Sequence, residues 1–129
     1  MKLVAFALFL TLALFGQEPT HTVFTVPPAN ARFQIVQSEM TAKGTFKLDR
    51  FTGRVWQLLG TPEGNIWSAM VVQGIGVKGV ESTAPRYQLF TSGLAYKFTY
   101  LLDTLNGTYW ELVGSESSND SWQLVLNNP

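Results

Sequence analysis

Asp49 and Asp103 are the residues whose type and spacing come nearest to chemistry, because each closes the same stretch of chain and each is followed four residues later by glycine, Gly53 and Gly107. As a catalytic pair they would act as acid and base on a glycoside, which needs two carboxylates about 5 to 10 Å apart across a cleft. As calcium ligands they would need further oxygen donors clustered around them. Asp49 has no acidic neighbours to supply either arrangement. An Asp at a turn entry accepts hydrogen bonds from free backbone N–H groups, and a Gly at the exit supplies positive φ. The repeated Asp and Gly are therefore expected to shape hairpins, with Asn106-Gly107 the stronger turn pair.

Other chemical signals reduce in the same way. Gly74-Ile75-Gly76-Val77-Lys78-Gly79 satisfies G-x-G-x-x-G, but a dinucleotide site also needs a helix after it, and Val80 to Pro85 offers none. His21 is the lone histidine, so neither a Ser-His-Asp triad nor a multi-His metal site assembles from the remaining residues. No catalytic, metal or cofactor site is expected, and the chain reads as a non-enzyme. Two positions match N-glycosylation acceptors, Asn106 and Asn119, and both also read as turns. If any patch binds a ligand, the candidates are Arg32, Gln34, Arg86 and Gln88 on the polar side of their strands, with Trp56 and Trp110. These arginines could be solvated, pair with Asp, or lie over a tryptophan face. The tryptophans are expected to bury their rings between sheets; exposed, they would stack on sugars or peptides.

The elements that must position these residues come in two matching sets. Arg32-Phe33-Gln34, then Leu48-Asp49, Gly53, Trp56 and Leu58, return as Arg86-Tyr87-Gln88, then Leu102-Asp103, Gly107, Trp110 and Leu112, at a period of roughly 50 residues. Within each set apolar and polar residues alternate, as on half-buried strands. In the first, Arg32 to Val36, Thr45 to Leu48, Arg54 to Leu59 and Trp67 to Val72 are expected strands, with a turn over Gly60 to Asn65. In the second, the strands are Arg86 to Phe90, Thr99 to Leu102, Thr108 to Val113 and Trp122 to Leu126. Glu39 to Lys43 is short and meets Gly44, so it reads as a loop. The expected fold is all-β: two tandem antiparallel meanders of three to four strands, forming one small pseudo-symmetric sandwich or barrel. Residues 32–73 are the first unit, 74–85 a flexible link, and 86–129 the second.

Before them, residues 1–16 read as a signal peptide, with Lys2 ahead of an apolar run and cleavage near Gly16-Gln17-Glu18. That run is too short for a permanent membrane span. Residues 17–31, with Pro19, Pro27 and Pro28, form an extended tether in which Thr22 to Val26 could add an edge strand. A secreted or periplasmic location follows. Charged residues are 14% of the chain and sum to zero, against a usual content of about 25%. Nucleic acid and anionic membrane surfaces are poor partners for such a chain, because both need clustered Lys and Arg. With no cysteine, stability must come from aromatic burial or from self-association into a homo-oligomer. Aromatic residues, at 13%, make the former credible.

From Arg32 to about Leu126 the chain resembles small exported bacterial proteins, themselves uncharacterised, whose hairpins read Arg, then Phe or Tyr, then Gln, followed by Leu-Asp-Thr-x-Thr-Gly-x-x-Trp. It departs at Arg50 and Asn106, where Thr is usual. That resemblance implies no activity. The hairpins are also faintly similar to blades of quinone-dependent dehydrogenase propellers, through Asp49, Thr52 and Gly53, although there the Trp stands one residue further on and the quinone chemistry does not carry over. The function expected is that of an exported, non-enzymatic binding or envelope-associated protein whose partner is a protein or a carbohydrate. Its rival is an oligomeric, lectin-like propeller that holds sugar between Trp and Arg pairs.

Overall fold

Among the described residues, eight antiparallel strands form two sheets of matching order. The computed structural model describes residues 26–76, 78–114 and 120–126; the expected leader, most of the tether and Asn119 lie outside them. Strands β1 (Phe33–Gln37), β2 (Thr45–Asp49), β3 (Val55–Thr61) and β4 (Gly64–Ala69) make the first sheet in sequence order. Strands β5 (Tyr87–Thr91), β6 (Thr99–Asp103), β7 (Tyr109–Val113) and β8 (Ser121–Leu124) make the second. A 3-10 turn at Ala42–Gly44 caps the β1–β2 connection, with Thr41 accepting the Lys43 N–H. The fold is all-β and sandwich-like, and the sheets do not close into a barrel.

The registers of the two sheets coincide. Phe33 faces Asp49 and Lys47 faces Trp56 in the first; Tyr87 faces Asp103 and Leu101 faces Trp110 in the second. Opposed residues of an antiparallel pair share a face, so each sheet can be read row by row. Both β2–β3 and β6–β7 hairpins turn in the same way. The Gly53 and Gly107 N–H groups donate to the Asp49 and Asp103 carbonyls, each at 2.9 Å, with φ of +75° and +77°.

The core forms where unlike faces meet. The first sheet contributes Phe46, Leu48 and Val55; the second contributes Tyr87, Leu89, Leu101, Trp110, Leu112 and Trp122. Phe46 meets Trp122 edge-on, with centroids 5.7 Å apart, the geometry that an aromatic quadrupole favours. Each buried indole N–H finds a partner beyond β4: Trp110 donates to the Gln73 carbonyl at 2.7 Å and Trp122 to the Met70 sulfur at 3.3 Å.

Three local expectations change. Trp56 was expected between the sheets with Trp110, but the Trp56 row faces outward and its ring is only half-buried. The turn read over Gly60 to Asn65 shrinks to Pro62-Glu63, because β3 continues to Thr61 and β4 restarts at Gly64. The link is tied down at two points: Ile75 bridges to Val72, itself bridged to Trp122, and the Val80 N–H donates to the Thr52 carbonyl at 2.9 Å. The end of the tether is also held, since the Arg50 guanidinium donates to the carbonyls of Pro28, Ala29 and Ala31. Among the described residues, no helix is long and apolar enough to cross a membrane.

Candidate binding surface

The two Arg–Asp pairs are built alike. Arg32 and Arg86 each stand one residue before the first strand of their sheet, directly across from the hairpin that Asp49 or Asp103 opens. Arg86 donates through Nε and Nη2 to the two Asp103 oxygens at 2.9 and 2.6 Å. Arg32 does the same to Asp49 at 3.0 to 3.3 Å. Each carboxylate also accepts the N–H two residues on, Phe51 at 3.1 Å and Leu105 at 3.0 Å. The Arg86 guanidinium holds the Asp103 carboxyl below its ordinary range, against the opposing effect of burial. At Asp49 burial is the largest single influence and pushes upward; the Arg32 guanidinium leads the opposing influences, followed by the neighbouring Thr52 hydroxyl and the Phe51 N–H, and the net shift is downward. Both carboxylates are buried and fully engaged, so they lock hairpins in place and present no free oxygen to a substrate.

The six candidate ligand residues are divided among four surroundings. Gln34, Arg86 and Gln88 line one groove of about 720 Å³ between β1 and β5, with Arg50, Phe90 and Thr104. Arg32 borders a neighbouring depression with Phe51, Lys78 and Glu81. Trp110 is in the core with its N–H satisfied. Trp56 lies on the outward face of the first sheet.

That outward face is the most distinctive surface of the molecule. Phe33 and Ile35 are 52% and 60% exposed there, whereas their register counterparts on the second sheet, Tyr87 and Leu89, are 2% and 6% exposed. Half-buried Trp56, Leu58 and Trp67 continue it, where the second sheet has buried Trp110, Leu112 and Trp122. At its centre the Lys47 ammonium sits 4.8 Å from the Trp56 ring centroid and 4.9 Å from that of Trp67. Arg54 covers Trp56 as well, at 4.7 Å. Cations at these distances are attracted by the ring faces. The second sheet also has an open side, on which Phe90, Tyr100 and Tyr109 form a run with centroids 6.2 and 6.1 Å apart.

A buried polar cluster has no local mark in the sequence. The Tyr96 hydroxyl donates to Asp120 at 2.6 Å, and the Gln57 amide reaches the same Asp120 oxygen, the Tyr96 oxygen and the Lys43 carbonyl, each at 3.1 Å. Burial first, and the adjacent Asp120 second, push the Tyr96 hydroxyl far above its ordinary value. The cluster ties the β1–β2 and β5–β6 connections to the start of β8. Among the described residues no three His, Cys, Asp or Glu side chains gather closely enough to hold a metal ion. No family model, curated protein or solved structure matches the chain.

Proposed function

We propose that the chain is an exported, non-enzymatic binding module built from a duplicated β-unit, and that its contact surface is the outward face of the first sheet. The single observation behind this reading is the contrast in burial at matched positions: Phe33 and Ile35 stand open where Tyr87 and Leu89 are covered. A face of aromatic and branched side chains left in water marks an interaction site. The engagement of Asp49 and Asp103 by their arginines supports a binding role over a catalytic one. Export rests on the charged start and apolar run of residues 1–16.

The test is Ile35→p-benzoylphenylalanine, irradiated in the cells that make the protein, with Glu63→p-benzoylphenylalanine at the exposed β3–β4 turn as control. Protein adducts from position 35 and none from position 63 are expected. Equal yields, or none from either, would remove the reading.

The lectin-like alternative draws on a different observation, the meeting of Gln34, Arg86 and Gln88 in one groove beside exposed Phe90. Amide and guanidinium donors next to an open ring suit a sugar. Saturable heat in calorimetric titration with oligosaccharides, abolished by Gln88→Ala, would favour it over the first reading.

A further inference from the structure

We infer that the partner of the first sheet's outward face is a second copy of this chain, docked head to tail through the outward face of its second sheet. This rests on the reading of that face as a binding surface and names its occupant.

The interface that the chain already contains joins unlike faces. The inward side of the first sheet, with Val36, Phe46, Leu48 and Val55, covers the side of the second sheet that carries Tyr87, Leu89 and Trp110. Because the registers match, the first sheet's outward side presents the counterparts of that covered surface: Phe33 for Tyr87, Ile35 for Leu89, Trp56 for Trp110. The second sheet's outward side presents the counterparts of the covering one: Phe90 for Val36, Tyr100 for Phe46, Leu102 for Leu48, Tyr109 for Val55. The two open faces are thus related to each other as the two closed faces are, and neither is related to itself.

Three details continue the same relation. The Arg50 carbonyl, at the tip of the first hairpin, accepts the Arg86 and Tyr87 N–H groups across the internal interface at 2.7 and 2.9 Å. Its counterpart, the Thr104 carbonyl, receives no donor among the described residues, and the Arg32 and Phe33 N–H groups of a docked copy would occupy the matching place. Gly53 is closed against Tyr87 and Ile75, whose atoms lie 3.0 Å from where a Cβ would stand, while Gly107 has nothing within 4 Å. A docked Phe33 would fill that space. The open faces also differ in charge: Lys47 replaces Leu101 on one, and Glu111 replaces Gln57 on the other. Pairing of like faces would set lysine on lysine or glutamate on glutamate, whereas pairing of unlike faces brings opposite signs to the same interface. Contacts between unlike faces are heterologous, and their repetition makes rings or open filaments.

Light scattering and native mass spectrometry of the purified protein test this. The wild type is expected to form multiples of the chain mass. Ile35→Asp and Phe90→Asp, both at exposed positions, should each give monomers with unchanged circular dichroism. Their equimolar mixture should give a 1:1 heterodimer that grows no further, because each variant retains the one intact face that the other lacks. If either variant loses its fold, Ile35→Ser and Phe90→Ser take their place. A wild type that is monomeric at every soluble concentration would overturn the inference. So would a Phe90→Asp variant that still dimerises alone, or a mixture that remains monomeric. A monomer whose position-35 adducts contain a different protein would end self-docking while leaving the binding reading intact; absence of any adduct would end both.

Discussion

Gly53→Ala and Gly107→Ala make the same chemical change at the same turn position of the two sheets, and their costs should differ for a reason visible in the packing. Both glycines have left-handed backbone, with φ of +75° and +77°, so either alanine pays about 1 kcal/mol of backbone strain. At Gly107 that is the whole cost within one chain, since a new Cβ meets nothing within 4 Å. At Gly53 the methyl meets Ile75 Cδ1 and the Tyr87 ring at 3.0 Å. The isoleucine tip can swing aside, but Tyr87 is buried and leans on Trp110, with centroids 6.4 Å apart. Overpacking of that kind costs a further ~1–3 kcal/mol, giving roughly 2–4 kcal/mol in all. Urea unfolding in an Ile35→Asp background, where docking between copies makes no contribution, measures the difference directly. Equal losses at the two positions, or a larger loss at Gly107, would show that the first hairpin does not hold the second sheet as described.

Acid should destabilise the fold in one window. The Asp103 and Asp49 carboxyls are more acidic folded than unfolded, so the unfolded chain binds more protons at low pH, and stability falls as the pH drops below about 4; Asp103→Asn, which keeps the cap on Leu105, should flatten that limb in melts recorded as a function of pH. Alkali acts in the opposite sense: the folded state keeps the Tyr96 proton well beyond pH 10 while the unfolded chain releases it, so stability falls as pH rises past about 10. Tyr96→Phe should flatten that alkaline slope, leaving the part due to Tyr87, whose hydroxyl burial also pushes up, and, by leaving Asp120 one donor short, cost about 1–2 kcal/mol at neutral pH. Leu101→Ala should cost about 2–5 kcal/mol in urea melts, since its side chain is fully buried, while Ile35→Ala on the open face, measured in a Phe90→Asp background where docking makes no contribution, should stay within about 0.5 kcal/mol.

Local chemistry was readable where it is decided locally. The Asp-to-Gly spacing places the hairpins, and alternation places β1, β2, β5 and β6 nearly to the residue, because turn geometry and strand period depend on neighbours in the chain. Alternation says that a strand has two faces but not which one will be covered. Phe33-Gln34-Ile35 and Tyr87-Gln88-Leu89 carry the same pattern, yet Tyr87 and Leu89 are buried while Phe33 and Ile35 are exposed, because only the second sheet has a neighbour on that side. Trp56 and Trp110 part company for the same reason. Gly60 to Asn65 is dense in turn-forming residues, but the β3–β4 pairing satisfies the backbone of Gly60, Gly64 and Asn65 and leaves only Pro62-Glu63 outside the ladder. The Gln57–Tyr96–Asp120 cluster joins residues 39 and 63 positions apart, and no pattern within a strand announces such a contact.

Lys47 decides between two meanings of the open face. A two-layer sandwich that ends in solvent carries polar residues on its outer sides, and here the row across the first sheet reads Ile35, Lys47, Trp56 and Ala69, with the lysine head held between two indoles. If Lys47 merely keeps a bare sheet soluble, Lys47→Leu, which installs the residue found at its counterpart Leu101, should cause precipitation without a defined size. If the face is a docking surface, the same change makes it resemble more closely the surface that the first sheet already covers within the chain. Oligomers of defined size should then form at lower protein concentration than in the wild type, and Phe90→Asp should still dissolve them into monomers. Aggregation that ignores Phe90→Asp would assign the lysine to solubility alone, because only a contact made through the second sheet's outward face can be broken from that side.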